Sequence, residues 1–255
     1  MIEAAQSQWF EAVVPVAKPA LQLFCFPYAG GSAQVFRPWQ RHFSSEVSLW
    51  LAHLPGRGKR IAEPRFNCLK ELVEVLAGAI VPILWENYGF WGHSMGALIS
   101  FELARELRRR SHALPRALFV SGHRAPQVPA LAPPAFNLPE EDFISELKRL
   151  NGTPRELLED PEALKLFLPT LRADFQTTET YAYQPEDPLA CAIYAYGGLE
   201  DRDVPAGSLR AWRHQTSGKF TARMFRGDHF FIHSSSANLI HVLSRDVQEE
   251  FLPCV

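Results

Sequence analysis

A chain of 255 residues, 47% hydrophobic and 21% charged, suits one soluble globular domain with room for a modest insertion. Its formal net charge of −2 provides no basic footprint for nucleic acid and no reason to expect a membrane-surface partner. No stretch approaches the ~20 apolar residues of a membrane span, and the four cysteines, Cys25, Cys68, Cys191 and Cys254, are scattered without a CxxC pair, which predicts reduced thiols and neither a metal site nor a cofactor.

Residues 1 to 18 read as a loose lead-in in which Trp9 and Phe10 pack somewhere. Glu3 and Glu11 stand where a basic-then-apolar secretion signal would need other residues, so a cytoplasmic location is expected. Leu21 to Phe26 is the first strand, short, apolar and bounded by Pro19 and Pro27. Gly30 and Gly31 follow it, in a loop where backbone amides are free to face a ligand. Val47 to Leu54 is the next strand, running into Pro55-Gly56-Arg57-Gly58-Lys59-Arg60. That loop lacks the lysine-serine/threonine ending of a phosphate loop; its three cations fit a solvated turn or an acidic partner. Leu69 to Trp85 carries a helical apolar stripe through Leu72, Val75, Leu76, Ala79, Ile80 and Ile83.

Tyr88 to His93 is aromatic and strand-like, and Leu98, Phe101, Leu103, Ala104 and Leu107 then recur at helical spacing. Between them lies Gly92-His93-Ser94-Met95-Gly96, the G-x-S-x-G spacing of a nucleophile elbow. A serine on such a turn is pushed above the sheet edge, at the N-terminus of the following helix. The bland alternative is a glycine-flanked serine in an ordinary strand-to-helix turn. Arg108 to Arg110 complement that helix's dipole.

After a buried strand at Ala117 to Gly122 the pattern changes. Pro126, Pro129, Pro133 and Pro134 are followed by helical patterns near 139–150, 154–159 and 161–180. A strand-helix repeat should return to a strand sooner. Residues 124–189 are therefore expected to be a lid inserted into one domain spanning 1–255. Ala190 to Gly198 is the next strand, Leu209 to Thr216 a helix, Phe220 to Phe225 the last strand and Ala237 to Phe251 the closing helix. The alternation predicts an α/β fold with a mostly parallel sheet covered on both faces.

Asp201 and His229 each follow a strand end, completing the chain order Ser94, Asp201, His229. A serine hydroxyl needs a base; a histidine supplies it and an aspartate orients the histidine. Asp203 competes with Asp201, although Asp201 comes earlier in its loop with Val204 able to pack beneath. His123 also follows a strand end but precedes the acid, and His93 is expected to pack beside the serine. The backbone amides of Ala29 and Met95 are the expected oxyanion-hole donors.

Five segments, Phe26–Gly31, Leu54–Gly58, Gly92–Ala97, Leu171–Asp174 and Gly227–Phe231, together make the chain resemble the stand-alone type II thioesterases of non-ribosomal peptide and polyketide synthase systems. The resemblance implies an α/β-hydrolase fold with a helical lid, and hydrolysis of acyl groups from the phosphopantetheine arm of carrier proteins to clear stalled units. It places the family triad on Ser94, Asp201 and His229. An acyl or peptidyl carrier protein is then the expected partner of a monomeric enzyme, with acyl-CoA as a surrogate substrate. Arg57, Lys59 and Arg60 become candidates for a cationic rim that steers an acidic carrier. A general acyl-CoA thioesterase, a small-ester esterase and a non-catalytic binding module on the same fold are the alternatives.

Overall fold

The computed structural model describes residues 8–16 and 19–251, which leaves Cys254 outside the described residues. Seven strands form one sheet: β1 (Phe10–Ala12), β2 (Leu21–Phe26), β3 (Val47–Ala52), β4 (Tyr88–His93), β5 (Ala117–Ser121), β6 (Ala192–Gly198) and β7 (Phe220–Phe225). Their order is β1-β3-β2-β4-β5-β6-β7. β1 is antiparallel to β3, and every other neighbouring pair is parallel.

The helices are α1 (Leu69–Ile80), α2 (Met95–Arg109), α3 (Glu140–Leu150), α4 (Arg155–Glu159), α5 (Pro161–Glu179), α6 (Ala206–Arg210), α7 (Phe231–Ser234) and α8 (Ser236–Phe251). Every residue of β2 to β6 is buried, because helices cover both faces. Side chains alternate between the two faces along each strand. Phe24, Phe90, Leu118 and Ile193 pack toward α1 and α2. Leu23, Trp91, Phe119 and Tyr194 pack toward Leu239, Leu243 and Val247 of α8.

Several elements depart from the sequence reading, among them the helix expected over Leu209–Thr216, which is α6 as far as Arg210 and then a 3₁₀ segment at Ala211–Gln215. The lead-in is not uniformly loose, since β1 adds an antiparallel edge with Phe10 fully buried. Three residues are too few for an alternating pattern to stand out. A 3₁₀ helix at Ala33–His42 buries Phe36 and Trp39 at i, i+3, its apolar pattern interrupted by Pro38. The helix expected to reach Trp85 ends at Ile80, because Pro82 removes a backbone donor and turns Val81–Ile83 into a 3₁₀ segment.

Between β5 and β6 lie α3, α4 and α5, built on a small apolar core that includes Phe143, Leu147, Leu164 and Leu168. α5 is also tied to the body of the domain. Thr170 Oγ1 donates to Gly56 O at 2.7 Å, and Thr177 Oγ1 donates to Phe66 O at 3.2 Å.

Candidate active site

Ser94 stands alone between the end of β4 and the start of α2, with φ 53° and ψ −116°. Positive φ is costly for a residue with a Cβ, so the surrounding packing has to enforce it. The enforcement comes from close backbone approaches on both sides. A Cβ on Gly92 would lie 2.0 Å from Gly96 O, and one on Gly96 would lie 2.2 Å from Phe26 O. Only glycine fits either place. The Ser94 amide donates to Ser121 O at 2.7 Å, tying the turn to the end of β5.

The loops after β6 and β7 are brought together by backbone contacts. Leu199 N donates to Phe225 O at 2.7 Å and Glu200 N to Gly227 O at 3.0 Å. This places Asp201 and His229 side by side above the elbow. His229 Nε2 lies 3.0 Å from Ser94 Oγ, and His229 Nδ1 lies 2.7 Å from Asp201 Oδ2. Asp201 Oδ1 accepts the amides of Asp203 at 3.0 Å and Val204 at 3.1 Å. Burial alone would raise the Asp201 carboxyl pKa, but the hydrogen bond and charge of His229, with the two amides, outweigh it and hold it below the ordinary value. An ionised Asp201 can only accept, so His229 Nδ1 carries the proton and Nε2 presents its lone pair to the serine hydroxyl. That tautomer can take a proton from Ser94.

The competing residues are engaged with other partners. Asp203 is paired with Arg149 at 3.1 Å. His123 Nδ1 donates to Arg124 O at 2.6 Å. Burial, then the charge of Arg124, lowers the His123 pKa to about 3, so the ring is neutral. His93 is fully buried with Nδ1 2.9 Å from Ser121 Oγ, and burial, reinforced by His229 and His233, holds it well below its ordinary pKa. It packs beside His229, with ring centroids 5.3 Å apart.

Ala29, Ser94 and His229 line one cavity of about 200 Å³, walled on the inserted side by Leu131, Leu150 and Phe175. Met95 is the first residue of α2, so its amide has no acceptor within the helix. Ala29 thus shares the cavity with Ser94, and Met95 follows Ser94 directly at the helix start.

The expected cationic rim is corrected by the structure. Arg57 is only 7% exposed and forms a bidentate pair with Asp174, both contacts at 2.7 Å. Arg60, also 7% exposed, bonds Glu63 at 2.8 and 2.6 Å and lies over the Trp9 ring. The tight turn sends both guanidinium groups inward to carboxylates and leaves only Lys59 of the three exposed. Arg108, Arg109 and Arg110 likewise engage carboxylates, those of Glu186 and Glu106, beyond any interaction with the helix dipole.

Residues 21–246 match the thioesterase domain family. The chain belongs to this family. It is 42% identical over 247 residues to the gramicidin S biosynthesis protein GrsT of Aneurinibacillus migulanus, covering 97% of this chain and 96% of that one. It is 36% identical over 249 residues to thioesterase PikA5 of Streptomyces venezuelae, covering 96% of this chain and 85% of that one. Among solved structures, RedJ, a thioesterase from the prodiginine pathway of Streptomyces coelicolor, superposes with a TM-score of 0.85 at 35% identity, covering 91% of this chain and 95% of that one. The doubly covered parallel sheet is thus the α/β-hydrolase fold, and this thioesterase is a hydrolase of acyl thioesters. No helix among the described residues is long and apolar enough to cross a membrane.

Sequence reasoning assigned no role to Asp174, although it ends one of the five segments that carry the family resemblance. The available signal was a carboxylate without a role in one segment and, in another, an arginine, Arg57, that reads as part of a cationic rim.

Proposed function

We propose that this thioesterase hydrolyses acyl groups from the phosphopantetheine arm of acyl or peptidyl carrier proteins. It acts as a cytoplasmic monomer that clears stalled or aberrant units from a polyketide or non-ribosomal peptide assembly line. The observation that carries the chemistry is the hydrogen-bonded line Ser94–His229–Asp201 opening into the cavity beside Ala29. Similarity to biosynthetic proteins such as GrsT and PikA5 supports the carrier-bound substrate.

In the first half-reaction Ser94 Oγ attacks the thioester carbonyl and His229 Nε2 takes its proton. Asp201 stabilises the imidazolium, and the amides of Ala29 and Met95 receive the oxyanion. Collapse breaks the C–S bond, and the proton on His229 passes to the departing sulfur. In the second half-reaction His229 deprotonates water, which attacks the acyl-serine; collapse breaks the C–O bond to Ser94, His229 returns the proton to Ser94 Oγ, and the carboxylic acid leaves. The net change consumes one water and yields an acid and the carrier thiol. The substrate test compares matched acyl chains on a carrier protein and on CoA. The expected result is a higher kcat/KM for the carrier substrate, at least about tenfold if docking contributes the ~1.4 kcal/mol that this ratio requires. Equal values at low salt would reduce the assignment to a general acyl thioesterase.

The lid role of residues 124–189 is part of the same proposal, narrowed by the attachment of α5. The moving part is the proline-rich segment with α3 and α4, while α5 stays fixed to the domain through Thr170, Asp174 and Thr177. Amides of α3 and α4 are expected to exchange with solvent faster than those of α5, β5 and β6. Uniform protection across all of them would make the insertion a fixed wall.

A further inference from the structure

The Tyr28–Gly31 loop, which carries the proposed oxyanion donor Ala29, is clamped by a buried ion pair from two distant parts of the chain. Asp174 Oδ2 accepts the Gly30 amide at 2.7 Å and Arg57 Nη1 at 2.7 Å, while its Oδ1 accepts Arg57 Nη2 at 2.7 Å. Arg57 Nη1 also donates to Gly31 O at 3.1 Å, and its Nε donates to Pro55 O at 3.3 Å. The pair therefore grips the loop twice, by an amide and by the next carbonyl. Gly30 has φ 72°, and a Cβ there would lie 2.3 Å from Leu171 Cδ2, one turn before Asp174 on α5. The loop backbone is seated against α5, in a positive-φ conformation that favours glycine.

An oxyanion donor works only when it is fixed at the position the developing charge will occupy. Gly30 adjoins Ala29, and the Gly31 amide closes the turn by donating to Tyr28 O at 2.9 Å. A pair that merely glued α5 to the domain would have no need to bond the backbone on either side of the Gly30–Gly31 junction. We propose that Arg57 and Asp174 are positioning residues that hold the Ala29 amide in its oxyanion-binding orientation. This rests on reading Ser94 as nucleophile and Ala29 as donor, and it adds the device that aims the donor.

The test separates aim from stability. Removing one partner leaves a lone buried charge and destabilises, whereas a buried pair replaced by apolar side chains of similar volume often keeps the fold stable. Two variants are therefore compared, Asp174→Asn and the double replacement Arg57→Met with Asp174→Leu. The probes are a thioester substrate, an acyl trifluoromethyl ketone that forms a tetrahedral adduct on a serine, and an unreactive thioether of the same chain. In both variants kcat is expected to fall about 10- to 100-fold, within reach of the loss from one oxyanion donor. The ketone inhibition constant is expected to rise by the same factor, with thioether binding and KM within about twofold, the split of an interaction made only in the transition state. A double variant that melts like the parent yet still binds the ketone poorly establishes positioning. A double variant that recovers both kcat and ketone affinity would reduce the pair to structural glue. The underlying reading is checked separately: if the parent protein binds ketone and thioether equally, or Ser94→Ala still forms the adduct, the assignment of Ser94 and Ala29 has failed rather than that of the pair.

Discussion

Ser94→Ala is expected to lower kcat by roughly 10⁴-fold or more on any acyl thioester, while the protein folds and melts close to its parent. The proposed route passes through a covalent bond to Oγ, so alanine removes the acyl-enzyme itself. What remains is the contribution of binding and of the oxyanion amides to direct attack by water. The stability expectation follows from the site. The side chain's hydrogen bond is to His229, and the φ of 53° is imposed by Gly92, Gly96 and Ser121. Alanine pays the same backbone cost as serine, so the change in stability should stay within about 1 kcal/mol. Thermal melting and active-site labelling by a fluorophosphonate check the two halves. A purified variant with substantial turnover would remove Ser94 from the mechanism and leave the elbow as a structural turn.

The parts of this fold that were legible in the sequence share a physical cause. A parallel strand covered on both faces must be apolar throughout, and it ends where glycine or proline breaks the pattern. Leu21–Phe26 and Ala117–Ser121 show this plainly, and they lie where the pattern placed them. The elbow was legible because its geometry demands glycine on both sides of the serine. The choice of Asp201 over Asp203 rested on loop position; Asp201 Oδ2 lies 2.7 Å from His229 Nδ1, while Asp203 is paired with Arg149. What could not be read is pairing over long distances. Arg57 stands in a glycine-rich turn that looks solvated, and Asp174 lies 117 residues from it. Local composition carries no record of such a partner. The same holds for β1, whose three residues become a strand only because β3 offers an edge.

Asp201→Asn is expected to lower kcat by about 10⁴-fold, through the proton it misplaces rather than the charge it removes. Asp201 Oδ1 accepts the amides of Asp203 and Val204, at 3.0 and 3.1 Å. Those two donors fix the orientation of an asparagine amide at this position, since only its oxygen can face them. Its NH2 group must then point at His229 Nδ1, where the carboxylate oxygen now lies 2.7 Å away. A donor facing Nδ1 forces that nitrogen to be the acceptor, so the proton moves to Nε2. Nε2 then meets Ser94 Oγ as a donor and has no lone pair to accept the serine proton. Asp203→Asn has none of these consequences. It weakens a partly exposed pair with Arg149, of a type worth about 0–1 kcal/mol, and should leave kcat within a few-fold. Parallel measurement of the two variants on one substrate decides the assignment. If Asp203→Asn were the damaging change and Asp201→Asn the mild one, the acid of the proposed triad would have to be reassigned to Asp203.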